Sequence, residues 1–377
     1  MTMRILIINP FGIGDVLFST PLISSVKREY PQCHIGYICN KRTSQILETN
    51  PAIDEVFVFD RGDYRAFWKE SKLACAKKFI GFWQGVAKEK FDIVFDLSLG
   101  KEYAFLCWII GIKERRGFNY RGRGRFLTHK VPFEGFNDKP VAEYYLDLLL
   151  KDVIARPKAE ALRLRSGFRP ELLSKDETIS TVLITTDEDR RYADNFLKNS
   201  GIDSGDTLIG IAPGGGMSFG KKEQGRRRWP AARFSELADR VADSFKARII
   251  LIWGPGEEEL VNEIKGLMKR EALISPETNI RQMAALCKMC NLVICSEGGP
   301  LHIASSQGVK TVSIFGPVDE KVYGPYPPGK NNIVITSDVD CRPCYQRFKL
   351  PNCDTKKCLE GISVDTVFNA INFLEER

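Results

Sequence analysis

Residues 4–31, RILIINPFGIGDVLFSTPLISSVKREYP, decide the fold of this chain. Residues 4–9 form a short apolar, β-rich run, and a glycine-containing turn follows at residues 10–14. Residues 16–28 then carry apolar side chains at helical spacing and end before Pro31. The stretch therefore predicts a strand, a tight turn and a helix, which is the building unit of a parallel sheet.

The same alternation continues along the chain. Strands are predicted at residues 34–39, 55–59, 92–97, 207–212, 248–253, 292–295 and 310–314. Helices are predicted at residues 66–88, 188–199, 231–245, 257–269, 280–287, 301–306 and 364–376. Uniformly apolar strands between helices indicate parallel sheets that are covered on both faces.

A weakly patterned, more polar segment at residues 158–187 indicates a connection between two domains. We therefore predict an α/β protein with two doubly wound domains, residues 1–172 and 173–377, facing each other across a cleft. Ligands of such sheets bind at the carboxyl ends of the strands, so we expect the site in that cleft.

Composition narrows the class of protein. The chain has 377 residues and a formal net charge of +7, which suits an anionic substrate, an anionic membrane surface or a nucleic acid. The longest apolar run, residues 104–112, is about half of a membrane span, and no secretory signal is visible. Most of the 11 cysteines lie among apolar residues, as free thiols do in a reducing compartment. We expect a cytoplasmic protein.

The turn after the first strand carries Gly12, Gly14 and Asp15. Glycines let the backbone approach a ligand, and a carboxylate is favoured at a helix start. The residues alone favour two roles for Asp15 equally, an N-terminal helix cap and a general base. The third glycine of a dinucleotide fingerprint is missing, which disfavours a nicotinamide cofactor.

Three further turns suit an anionic ligand. Gly214 and Gly215 lead into a basic stretch at residues 221–228, where glycine amides and cations complement phosphate. Residues 296–302, SEGGPLH, open a helix whose first amides would point at a pyrophosphate, with Glu297 and His302 beside it. Residues 257–259 are three glutamates at a strand end, where one of them would take ribose hydroxyls.

In order and spacing, these stretches resemble glycosyltransferase family 9, best known for the ADP-heptose:lipopolysaccharide heptosyltransferases. The most specific parts are residues 4–31, RRWP at residues 227–230 and GGPLHIASSQG at residues 298–308. The resemblance implies the GT-B fold of two Rossmann-like domains, with the acceptor on the N-terminal domain and the ADP-sugar on the C-terminal one. It also implies inverting, metal-independent transfer without a cofactor. We expect the terminal helix, about residues 363–377, to pack back on the N-terminal domain.

The resemblance also implies roles for single residues. Asp15 matches the general base, and Arg227 falls where the family has a lysine that contacts the donor phosphate. Glu258 falls near the ribose-binding glutamate, in an alignment that could shift by one residue. Glu297 replaces the aspartate that usually opens the donor loop. The donor-binding set is Gly214, Gly215, Arg227, Glu258, Glu297, Gly298, Gly299, Pro300, Leu301 and His302.

Two basic regions concern the acceptor and the membrane. We assign acceptor binding to Gly12, Gly14, Arg115, Arg116 and Arg121, because such arginines suit an anionic glycolipid. No nucleic-acid motif accompanies them, so we expect no nucleic-acid partner. Residues 66–90 mix aromatic residues with lysines, which favours a core helix over peripheral contact with the anionic inner membrane.

The tail contains Cys341, Cys344, Cys353 and Cys358. Their spacing differs from that of a common zinc finger, so free thiols or a disulfide are favoured over a structural metal site. We expect no catalytic metal.

Other functions remain open at this stage. One is a GT-B transferase that uses another nucleotide sugar, or a different glycan or protein acceptor. Others are a nucleotide-sugar epimerase, a non-catalytic sugar-nucleotide-binding protein and, most distantly, an NAD oxidoreductase. The sequence does not choose the sugar, the acceptor hydroxyl or the oligomeric state.

Overall fold

A computed structural model describes residues 2–149, 179–216 and 225–376 of the chain. The chain divides into two compact units, Met1–Ser180 and Thr181–Arg377. The predicted domain boundary at residues 172 and 173 lies outside the described residues.

The first unit is built on a parallel six-stranded sheet. Its strands are β1 (Arg4–Ile8), β2 (His34–Cys39), β3 (Glu55–Val58), β4 (Ile93–Asp96), β5 (Glu114–Tyr120) and β6 (His129–Phe133). Its helices are α1 (Ile13–Glu29), α2 (Ser44–Leu47), α3 (Arg61–Glu70), α4 (Lys72–Lys88), α5 (Glu102–Ile109) and α6 (Val141–Asp147), with a 3₁₀ turn at Gly124–Phe126. The strand order is β3-β2-β1-β4-β5-β6, which is the Rossmann order.

The second unit repeats this order. Its strands are β7 (Leu208–Ala212), β8 (Arg248–Leu251), β9 (Ala272–Ile274), β10 (Leu292–Ser296), β11 (Lys310–Ile314) and β12 (Asn332–Ile335). Its helices are α7 (Asp187–Asn199), α8 (Ala231–Phe245), α9 (Glu258–Leu267), α10 (Ile280–Met289), α11 (Gly299–Ser306), α12 (Glu320–Tyr323), α13 (Lys357–Glu360) and α14 (Val364–Glu375). The order β12-β11-β10-β7-β8-β9 is the first sheet's order read from the other edge.

Both sheets are doubly wound, which confirms the predicted α/β fold class. In each sheet the strand order reverses beside the first strand, between β1 and β4 and between β7 and β10. Ligands of such sheets bind at this reversal, outside the carboxyl ends of the strands. The cleft between the two domains stays a prediction.

One helix prediction needs correction. The helix predicted at residues 66–88 is two helices, because Ser71 is extended and its hydroxyl accepts a hydrogen bond from the Ala74 amide, capping α4. The terminal helix α14 buries Val367, Phe368 and Ile371 in the core of the second unit, and its packing on the N-terminal domain stays a prediction. The helix packs beside β11 and β12, the two strands that precede it in the chain.

Within the described residues, the structure contains no helix that combines the length and the apolar character needed to cross a membrane.

Candidate active site

Asp15 lies in the first turn of α1, directly after the carboxyl end of β1. Its Oδ2 accepts a hydrogen bond of 3.3 Å from the Gly12 amide, and the Asn9 side chain donates to the Asp15 carbonyl at 3.0 Å. The helix-capping contact considered from sequence is therefore present. Asp15 as a whole residue is nevertheless partly exposed.

The proton affinity of Asp15 suits acid–base chemistry. Burial raises its pKa to about 6, against the lowering effect of the hydrogen bond from Gly12. A carboxylate with a pKa just below neutrality is mostly charged at pH 7 and still holds a proton well. The same side chain can thus cap the helix and act as a base.

Two polar residues at this edge were not singled out from sequence. Asn40 follows β2, and its side-chain amide donates to the Pro10 carbonyl at 3.3 Å and to the Phe11 carbonyl. It thereby fixes the turn that carries Asp15. The sequence signal that could have found Asn40 is an asparagine directly after a predicted strand, and the structure shows that it is buried.

The second residue is Asp96, the last residue of β4, which pairs in register with Ile8 of β1. It is buried and accepts a 2.9 Å hydrogen bond from the Ser98 amide. Burial raises its pKa to about 6. Asp96 and Asp15 thus follow the two strands between which the strand order reverses.

The three arginines assigned to the acceptor behave differently. Arg115 donates through Nε to the Phe126 carbonyl at 2.6 Å and also to the Ile112 carbonyl. Arg116 is buried and donates to the Leu148 carbonyl at 3.1 Å. Both side chains are used in internal contacts, and their assignment to the acceptor stays a prediction. Arg121 follows β5, is exposed, and lies over the Tyr120 ring at 5.0 Å.

In the second unit two glycine turns approach closely. Gly215 follows β7 and Gly298 follows β10, and both have positive φ, +77° and +143°. A Cβ on Gly298 would lie 2.1 Å from the Gly215 carbonyl oxygen, so only glycine fits there. Ser296 donates to the Pro213 carbonyl at 2.8 Å and fastens the same two turns.

A buried ion pair joins two predicted donor residues. Arg227 Nε lies 2.6 Å from Glu297 Oε1, and both side chains are buried. A further hydrogen bond of 3.2 Å reaches Glu297 Oε2 from the Gly316 amide. Burial raises the pKa of Glu297 despite the neighbouring Arg227. The structure thus brings both residues beside the glycine turns.

His302 is buried in the first turns of α11. Burial, and secondly the charge of Arg227, lower its pKa to about 4. The imidazole is therefore neutral at pH 7 and supplies hydrogen bonding rather than positive charge.

The start of α11 presents backbone rather than side chains. Gly298 is the N-cap and Gly299 the first residue, so the first amides of the helix have no bulky side chain near them. Pro300 and Leu301 are buried, and their side chains pack into the core. Their contribution to the predicted donor loop is its backbone.

The two neighbouring glutamates are placed in opposite environments. Glu258, the predicted ribose contact, is exposed in the first turn of α9. Glu257 is buried and accepts hydrogen bonds from the Gly216 amide at 2.8 Å and the Gly254 amide at 3.0 Å. A Cβ on Gly214 would lie 1.9 Å from the Glu257 carboxyl carbon. Sequence alone did not separate the pair.

Arg228 completes this contact, since it lies 3.6 Å from Glu257 and donates to the Gly214 carbonyl at 3.0 Å. The cations Lys221 and Lys222, which were part of the predicted anion site, lie outside the described residues.

The four tail cysteines line one small cavity beside Pro317. They are free thiols, and the described residues contain no group of these sulfurs close enough to hold a metal ion. The group that is close enough is His34, Glu55 and Glu89 at the amino edge of the first sheet, where Arg4 donates to Glu89.

Comparison with known proteins places this chain in a family. The family model for glycosyltransferase family 9 (heptosyltransferase) matches residues 80–353. A lipooligosaccharide heptosyltransferase 2 of Campylobacter jejuni is 31% identical over 45% of this chain and 52% of its own length. The lipooligosaccharide heptosyltransferase 2 of Haemophilus influenzae is 24% identical over 86% of both chains.

A solved structure, the glycosyl transferase family 9 protein of Veillonella parvula, has 25% identity and a TM-score of 0.76, covering 100% of this chain and 98% of that one. The likeness confirms the predicted GT-B fold. The chain belongs to glycosyltransferase family 9, the heptosyltransferase family, and is a glycosyltransferase.

Proposed function

We propose that this enzyme moves a heptose from ADP-heptose to an inner-core sugar of lipopolysaccharide, with inversion and without a metal ion. The observation that carries the proposal is Asp15, a partly exposed residue at the strand-order reversal whose carboxyl has a pKa of about 6. The similarity to lipooligosaccharide heptosyltransferases supports the sugar and the acceptor.

The reaction follows from the chemistry of Asp15. Its carboxylate takes the proton of the acceptor hydroxyl while that oxygen attacks the anomeric carbon of the heptose. The bond from the anomeric carbon to the diphosphate oxygen breaks, and ADP leaves with the bonding electrons. Attack from the face opposite to the leaving group inverts the anomeric configuration.

The second unit supplies the charge that ADP requires on leaving. Arg227 would contact the diphosphate, and the first amides of α11 at Gly299 and beyond would stabilise its developing charge. These groups replace the cation that a metal-dependent transferase uses. His302 is neutral and would donate a hydrogen bond.

The remaining donor contacts divide between side chain and backbone. The Glu297 carboxylate, held by Arg227 and the Gly316 amide, would accept from the sugar hydroxyls. The exposed Glu258 keeps the proposed ribose role, while Glu257 shapes the glycine turn on which the nucleotide would rest.

The acceptor would be bound at the carboxyl edge of the first sheet. Cations that follow β2, β3, β4 and β5 are exposed there: Lys41, Arg42, Arg61, Lys101 and Arg121. They suit a phosphorylated, carboxylate-rich glycolipid better than Arg115 and Arg116 do. Because such a glycolipid is anchored in a bilayer, we place the enzyme in the cytoplasm at the inner face of the membrane, with no nucleic-acid partner.

The test combines donor binding with product analysis. The purified protein is titrated by calorimetry with ADP-heptose, ADP, UDP and GDP in EDTA, and then incubated with ADP-heptose and a heptose-deficient lipopolysaccharide. We expect selective adenine-nucleotide binding and a product of inverted configuration. A preference for UDP or GDP, retention, or strict metal dependence would contradict the proposal. Binding without turnover would favour a sugar-nucleotide-binding protein.

A further inference from the structure

The outer surface of the first unit is unusually apolar. Helices α4 and α5 lie against the same core cluster, to which Trp83 and Val86 contribute from α4 and Tyr103 and Cys107 from α5. Since these residues turn inward, the opposite sides of both helices turn away from the sheet. We call the exposed side chains of α3, α4 and α5 the outer face.

Large hydrophobic side chains are exposed on this outer face in a helical pattern. On α4, Leu73 and Ile80 are seven residues apart and share one stripe. On α5, Phe105, Trp108 and Ile109 share another. Trp68 of α3 is 55% exposed, Trp108 is 53% and Ile109 is 57%. Each of these side chains has a large apolar surface, and removing that surface from water would stabilise a bound state.

Neighbouring loop residues extend the apolar stripe of α5. Phe126 packs on Phe105 with ring centroids 4.9 Å apart and on Trp108 at 5.9 Å. The guanidinium of Arg125, which is exposed, lies 5.9 Å from the centre of the Phe126 ring. An aromatic cluster with a cation at its edge is the arrangement that fits a bilayer interface.

The charge of the same region is strongly positive. Helix α4 carries four lysines and no acidic residue. The loop that packs on α5 adds the exposed cations Arg123 and Arg125. Lys72 lies 5.7 Å from the centre of the Trp68 ring, so cations and aromatics are interleaved. Anionic headgroups are the partner that satisfies both components.

We propose that the outer face docks the enzyme on a bilayer of anionic lipids, with the side chains of α4 and α5 inserted at the headgroup level. Charge complementarity selects an anionic lipid surface over a second copy of the chain, because two such faces would repel each other. The role of docking in the reaction rests on the proposed function, in which the acceptor is a membrane glycolipid. Vesicle binding itself requires no transfer reaction.

The test measures vesicle binding of three proteins by sedimentation. The first is the parent protein, and the second carries Trp68→Ser, Ile80→Ser and Trp108→Ser. The third carries Leu267→Ser, Met289→Ser and Phe373→Ser, a matched control from the second unit, whose side chains are 50%, 46% and 50% exposed. Vesicles are pure phosphatidylcholine, or phosphatidylcholine with a third phosphatidylglycerol.

We expect the parent and the control to bind the phosphatidylglycerol vesicles, and the outer-face variant to bind on the order of tenfold more weakly. A charge pair, Lys69→Glu with Lys77→Glu, should lose binding likewise, whereas Lys198→Glu with Lys288→Glu in the second unit should not. Raised salt should weaken parent binding. Thermal unfolding and transfer to a deacylated, soluble acceptor should be unchanged in every variant.

Three results would overturn the proposal: equal binding of the outer-face variant and its control, equal binding of the parent to neutral and anionic vesicles, or no vesicle binding. A parent dimer that the outer-face variant dissociates, without vesicle binding, would assign the face to a second copy. Vesicle binding without transferase activity would leave docking intact and contradict the proposed function, and the reverse result would contradict docking alone.

Discussion

The two sheets share one strand order, yet their carboxyl edges carry opposite arrangements of charge. In the first unit the acid after β1, Asp15, is partly exposed and its carboxylate bonds to a backbone amide. In the second unit the acid after β10, Glu297, is fully buried and paired with Arg227. A single scaffold therefore carries a partly exposed acid at one edge and a buried, charge-balanced ion pair at the other.

The difference teaches that burial and partner, rather than position in the fold, set the role of a carboxylate. Both acids follow a strand and open a helix. Burial raises the pKa of both acids, but Arg227 beside Glu297 favours the charged form, whereas Asp15 has only backbone hydrogen bonds to oppose burial. The predictions below change one side of this comparison at a time.

The largest effect is expected from Asp15→Asn. The amide keeps the size of the side chain but cannot take the acceptor proton, so kcat should fall about 10²–10⁴-fold while ADP affinity stays unchanged. Initial rates and ADP calorimetry measure the two quantities. Asp63→Asn, an exposed acid in the first turn of α3, is the matched control and should be fully active. An active Asp15→Asn enzyme would remove the proposed base.

The next effect is expected from Arg227→Ala, which leaves the Glu297 carboxyl buried without its cation. The free energy of unfolding should fall by about 3–5 kcal/mol, and ADP binding should weaken. Chemical denaturation measures the first and calorimetry the second. Arg240→Ala removes an exposed ion pair with Asp365 and should cost about 0–1 kcal/mol.

A double variant separates the structural role of this pair from its role in binding. Arg227→Met with Glu297→Leu removes both charges and should recover most of the lost stability, because no unpaired charge remains buried. It should not recover ADP affinity. Recovery of both would show that the pair serves only the fold.

A smaller effect is expected from Gly298→Ala. The added methyl would meet the Gly215 carbonyl at 2.1 Å, and φ of +143° is unfavourable for alanine. Stability should fall by at least about 1–3 kcal/mol, with weaker ADP binding. Gly266→Ala, inside α9 with open space around the new methyl, should instead stabilise by about 0.5–1 kcal/mol. Equal melting temperatures for the two variants would mean that the glycine turns are not in close contact.

The fold was accessible from sequence because its central strands are continuous apolar runs between helical patterns. Residues 5–8 are completely buried, as such a run predicts. The break at Ser71 was missed, since the helical pattern continues on both sides of it. The strand β5 was not predicted, because its arginines interrupt the apolar pattern of a buried strand.

From the sequence, the candidate site could be predicted only as a set of turns and not residue by residue. Glycines and strand ends located the turns around Asp15, Gly215 and Gly298, but adjacent residues of one type were not separated. Glu257 and Glu258 have the same chemistry, and only the phase of α9 decides which one is buried. The contacts of Arg115 with the Phe126 carbonyl and of Arg116 with the Leu148 carbonyl span 11 and 32 residues, which no local pattern reveals.

The smallest effect concerns pH, and it tests both edges in one measurement. Asp15 acts as a base only when charged, so kcat/KM should fall about tenfold per unit below a pH of about 6, where this carboxyl takes up its proton. His302, with a pKa of about 4, stays neutral from pH 5 to 8 and should add no further change in this range. The profile of His302→Asn should therefore be lower in rate but identical in shape. If the activity of the parent fell as the pH rose from 6 to 7.5, and that of His302→Asn did not, a charged histidine would assist the leaving group. The second edge would then depend on a titrating cation as well as on the fixed charge of Arg227.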